Sequence, residues 1–121
     1  MTGVFEINEK LYRAVYPPEI APMFWKANGQ LSSAVFKDKR GLSVERSGGR
    51  QEVRILEYMR KFFDGLIISV NVRDCMSCNA YVKYLPTNRS AYHSEIHGSL
   101  NRVLLSPSQC KYLARVAVVL E

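Results

Sequence analysis

Between residues 50 and 73 the hydrophobic pattern switches from a helical to a strand-like period, and this switch constrains the fold more than any other feature. Val53, Leu56, Met59 and Phe63 recur at spacings of three and four, and Ile55 and Phe62 widen the stripe. That predicts an amphipathic helix over 50–63. Gly65 is placed to end it. Residues 66–73 then alternate, with Leu66, Ile68, Val70 and Val72 on one face and Ser69 and Asn71 on the other. A helix delivered straight into an apolar strand must pack against a sheet.

The remaining elements follow from similar local signals. Residues 10–16 alternate as a strand, with Leu11, Arg13 and Val15 on one face, and Pro17-Pro18 stops it because neither residue can donate to a ladder. Residues 31–36 read as a short strand and 41–44 as the start of another extended piece. Residues 74–79 read as a turn and 80–85 as a strand, which a short connection would pair antiparallel with 66–73. Ser106-Pro107-Ser108-Gln109 has the form of a capping box with proline at the first helical position, so a helix should run to about Val116. Residues 116–120 then read as a last strand. The expected fold is α+β: a mostly antiparallel sheet of about five strands with two main helices against it, in one compact domain over 1–121.

Composition narrows the function classes. The chain is 47% apolar and 23% charged, which argues against disorder, and its longest apolar runs are too short to cross a bilayer. The N-terminus lacks the basic and apolar regions of a signal peptide, so a cytoplasmic location is expected. The net charge is +6, favouring an anionic partner: nucleic acid, a nucleotide or an acidic protein. Three cysteines in a reducing compartment argue against a disulfide framework, and Cys110 reads as a small buried hydrophobe.

Chemistry concentrates in Tyr92-His93-Ser94-Glu95-Ile96-His97-Gly98, which holds both histidines around a carboxylate. If extended, it projects His93, Glu95 and His97 from one face and sends Ile96 into the core. Such a row suits metal-independent acid–base work on a nucleotide or nucleic acid, with His93 as base or acid, Glu95 as its partner, and Arg13, Lys39 or Arg40 stabilising a phosphate. The same row also fits the polar outer face of an edge strand, and the chain as a whole a non-enzymatic interaction module whose exposed aromatics and basic residues meet an acidic protein. Cys75-x2-Cys78-x14-His93-x3-His97 falls within zinc-ligand spacing, so these four residues are the candidate metal ligands, and zinc the candidate cofactor. A redox role for Cys75 and Cys78 lacks the βαβ setting. Ser47-Gly48-Gly49-Arg50 is a flexible loop with no nucleotide-binding fingerprint, and Phe24 with Trp25 reads as a cap on the core.

Along the chain an arginine in an early strand (Arg13), a serine in a middle segment (Ser33) and a late glutamate (Glu95) occur in order. This order resembles that of the arginine-type ADP-ribosyltransferases. The resemblance implies that Arg13 and Ser33 help to hold NAD and that Glu95 orients the ribose for transfer.

Overall fold

Six strands form one antiparallel sheet in the order β4-β5-β2-β1-β3-β6. The strands are β1 (Lys10–Val15), β2 (Leu42–Arg46), β3 (Leu66–Asn71), β4 (Tyr81–Tyr84), β5 (His93–His97) and β6 (Val118–Val119). Three α-helices accompany them: α1 (Glu52–Phe62), α2 (Val72–Ser77) and α3 (Pro107–Val116). Two 3-10 turns, Pro22–Phe24 and Ser33–Phe36, lie between β1 and β2. The computed structural model describes residues 1–120. Among these residues no helix is long and apolar enough to cross a membrane.

Alternation along each strand divides the side chains between two faces. One face carries Leu11, Val15, Leu42, Val44, Ile68, Val70 and Ile96 into the larger core, where Phe36, Cys75, Cys110 and Leu113 meet them. The other face carries Tyr12 and Ile67 into a smaller core closed by Ile55 and Met59 of α1. Ile55 and Met59 are one turn apart and fully buried, whereas Val53 and Phe62 of the expected stripe are more than half exposed. The helix thus buries a narrower stripe than its sequence offers, against Tyr12 of β1 and Ile67 of β3.

Capping sets the ends of α2 and α3. Ser106 accepts from the Gln109 amide and Gln109 returns a hydrogen bond to the Ser106 amide, as the sequence signature predicts. Asn71 and Asp74 form the same reciprocal pair at the start of α2. This corrects the reading of 74–79 as a turn: the chain leaves β3 directly into a helix, and Val72 begins it. The expected pairing of 80–85 with 66–73 is also overturned. The turn of helix intervenes, β3 pairs with β1 and β6, and β4 pairs only with β5. Residues 31–36 are not a strand either. Leu31 makes a single bridge to Trp25, and Ser32 caps the 3-10 turn that follows by accepting from the Ala34 amide. Trp25 packs on the larger core, and its indole N–H donates to the Tyr16 carbonyl at 2.9 Å.

Candidate functional site on strands β1, β2 and β5

β1 pairs with β3 over all six of its residues, but its register with β2 covers only Leu11↔Arg46 and Tyr12↔Glu45. β2 meanwhile runs on to Leu42, paired with β5. The β1–β2 ladder therefore ends in a seam beside Arg13 and Ser43. Arg46 donates its amide to the Tyr92 carbonyl on the β5 side, and Ser47 donates to the Lys10 carbonyl on the β1 side. By alternation the Ser43 carbonyl points toward β1, where the ladder no longer supplies a donor. The Arg13 guanidinium supplies one through Nη1 at 2.9 Å. Burial lowers the Arg13 pKa and the nearby Asp38 carboxylate opposes that shift. An arginine stays cationic under either influence.

Across the seam, β5 presents His93, Glu95 and His97 on one face, as alternation predicts, while Ser94 and Ile96 are fully buried on the other. Register places Ser43 opposite Glu95, and Lys83 of β4 opposite Glu95 from the other side. His97 Nε2 lies 2.8 Å from Glu95 Oε1, and the two side chains are only 11% and 19% exposed. Gly41 closes this pair from below. It is buried at φ +105, and a methyl there would overlap Glu95 Oε1 and stand 3.3 Å from His97 Nε2. Only glycine combines that backbone conformation with that close approach.

His93 is held differently. Its Nδ1 lies 2.8 Å from the Leu85 carbonyl and its Nε2 lies 3.2 Å from Ser43 Oγ. A carbonyl can only accept, so Nδ1 carries the proton in this bond. In the neutral ring Nε2 is then the acceptor and the Ser43 hydroxyl donates to it. The imidazole is oriented with its basic nitrogen toward the Ser43 side of the sheet.

Arg13, Ser43, His93, Glu95 and His97 thus occupy three adjacent strands but two faces: Arg13 leaves β1 on the larger-core side with Leu11 and Val15 and reaches the seam through its guanidinium, whereas Ser43, His93, Glu95 and His97 project from the opposite face. Ser33 does not join them. It lies in the 3-10 turn and lines a separate cavity with Lys111 and Arg115. Ser43, not Ser33, is the serine on the strand beside Arg13 and opposite Glu95, and the extended reading of 41–44 was the one signal for it. Lys39 and Arg40 belong to the exposed turn that leads into Gly41. The turn is shaped by Asp38, which accepts from the Arg40 amide at 2.9 Å.

The four candidate metal ligands do not converge. Cys75 is fully buried in the larger core and Cys78 packs against it, whereas His93 and His97 project from the opposite face of the sheet. Among the described residues no group of three or more His, Cys, Asp or Glu is placed to hold a metal. Burial raises the thiol pKa values of Cys75, Cys78 and Cys110. The 47–50 loop has its amide already engaged, since Gly48 donates to Glu9 Oε2 at 2.9 Å.

Comparison with protein-family models, with curated proteins and with solved structures finds no match.

Proposed function

We propose that the protein binds a nucleotide across the seam and acts on it without a metal, NAD being the substrate that the residues fit best. The supporting observation is the placement of Arg13, Ser43 and Glu95 on consecutive strands of the sheet, with the Arg13 guanidinium drawn into the seam to donate to the Ser43 carbonyl and Ser43 in register with Glu95 on the other face. Arg13, reaching the seam from the larger-core side, meets a phosphate of the dinucleotide there with the donors that its bond to the Ser43 carbonyl leaves over. Lys83 and the dispersed excess of positive charge favour the approach of an anion. Glu95, held by His97 and backed by Gly41, accepts from a ribose hydroxyl and faces the positive charge that develops on the ribose as nicotinamide leaves. His93, with its proton fixed on Nδ1, offers Nε2 as the base that takes a proton from the incoming nucleophile. The roles of Arg13 and Glu95 are those that the resemblance to arginine-type ADP-ribosyltransferases implies, with Ser43 in place of Ser33; the role of His93 rests on its own geometry.

Nicotinamide release from NAD, followed by chromatography in buffer containing a chelator, tests this reading. Glu95→Gln should lose about a hundredfold or more in rate while its melting temperature stays near that of the parent. A parent protein that releases no nicotinamide, or a Glu95→Gln variant as fast as the parent, contradicts it.

The orientation of His93 favours a second reading, acid–base cleavage of a phosphodiester in RNA, in which His93 removes a proton and Arg13 holds the phosphate. RNA cleavage that His93→Ala abolishes, with NAD left intact by the parent, would select this alternative.

A further inference from the structure

A cavity of about 630 Å³ lies at the β6 end of the sheet, between α3 and the segment leading into the Ser33–Phe36 turn. Its volume falls in the range of small-molecule sites. Three cations line it: Lys26 from the hairpin before Leu31, and Lys111 and Arg115 from α3. No acidic side chain among the described residues lines it, and none of the three cations makes a salt bridge there.

Structural needs account for only part of this charge. Arg115 sits in the last turn of α3, where a cation complements the helix end, and its guanidinium lies 5.3 Å from the Tyr112 ring centroid. Lys111 gains nothing comparable. It stands one turn before Arg115, and like charges at that spacing repel. Lys26 belongs to a different element whose shape is fixed independently. The Trp25↔Leu31 bridge closes the hairpin, Lys26 donates its amide to the Gln30 carbonyl at 2.7 Å, and Gly29 turns it at φ +84. The floor between the cations is apolar, formed by Leu31, Ala114 and Ala117, and the two alanines leave the space open.

We propose that this cavity is a second binding site, for a phosphorylated organic molecule of mononucleotide size. The phosphate meets Lys26, Lys111 and Arg115, and the heterocycle or sugar lies on the Leu31–Ala114–Ala117 floor, with Ser33 as a polar contact. The proposal is independent of the seam, since no residue is shared between the two sites.

The test is an amide NMR titration with AMP of the full chain carrying Arg13→Ala, which removes the cation of the seam. AMP should shift the amides of Gly29, Ser33, Ala114 and Ala117 saturably. Inorganic phosphate at equal concentration should produce much smaller shifts. Adding Lys111→Glu and Arg115→Glu together should weaken AMP binding at least tenfold. Lys26→Ala, in an exposed hairpin outside α3, should also weaken it and serves if the double variant does not fold. Amides that stay unmoved at millimolar AMP, shifts that survive these substitutions, or equal shifts from phosphate alone would overturn the proposal.

Discussion

Gly41→Ala is the perturbation through which the packing of the site can be measured. Gly41 lies at φ +105, and a Cβ there would overlap Glu95 Oε1, stand 2.8 Å from Glu95 Cδ and lie 3.3 Å from His97 Nε2. Holding alanine in that backbone region costs roughly 1–3 kcal/mol. The overlap also drives the Glu95 carboxylate off His97, and a hydrogen bond to a charged group contributes about 1.5–3 kcal/mol. The substitution should therefore destabilise the fold by roughly 2.5–6 kcal/mol. Chemical denaturation of the parent, Gly41→Ala, Glu95→Ala and the double variant separates the two contributions. With Glu95 truncated only the backbone strain remains, so the cycle should show a coupling of about 1.5–3 kcal/mol. A cost below about 1 kcal/mol, or a coupling within about 0.5 kcal/mol of zero, would refute the claim that Gly41 seats the Glu95–His97 pair.

Three further predictions concern the body of the fold. Arg46 donates to both oxygens of Glu9 at 2.7 and 2.8 Å and to the carbonyls of Thr2 and Val4 at 2.6 and 2.9 Å, so Arg46→Ala should cost about 3–5 kcal/mol by stranding the buried carboxylate, as chemical denaturation can measure. Burial alone would raise the Glu9 pKa, but hydrogen bonds from Arg46 and the Gly48 amide outweigh it and hold the carboxyl below its ordinary 4.5. The resulting stability is present above that value and lost as pH falls through the lower folded pKa, so Glu9→Gln should flatten the acid limb of a stability–pH profile; an unchanged limb contradicts this. Ellman's reagent should modify half-buried Cys78 ahead of buried Cys75 and Cys110 in the native protein, and all three cysteines in denaturant; fast reaction of all three in the native state would contradict the burial described.

Elements with a local signature were legible in the sequence. Alternation located β1, β3 and β5, and the Ser106–Gln109 box located α3. Partner choice between strands was not, because it depends on residues distant in sequence. β4 had to reach β5 once α2 separated it from β3, and the Asn71-x-x-Asp74 signature that announces α2 passed for turn residues. The site divides in the same way. The shared face of His93, Glu95 and His97 follows from alternation alone. Ser43 belongs beside Arg13 only because β2 pairs with β1 and then leaves it, and the glycine beneath Glu95 has meaning only once β2 and β5 are neighbours. The cysteine–histidine spacing suggested one site for a related reason: spacing records distance along the chain, and here the sheet stands between the thiols and the imidazoles.

The central claim, that Arg13, Ser43 and Glu95 form one nucleotide site, is tested most directly by calorimetric titration of NAD into four proteins: the parent, Arg13→Ala, Ser43→Ala and Ser33→Ala. The account predicts saturable binding by the parent with chelator present, binding weakened at least about tenfold by Arg13→Ala and clearly weakened by Ser43→Ala, and parent-like affinity in Ser33→Ala. No binding of NAD by the parent, or equal affinity in the parent and Arg13→Ala proteins, would contradict it.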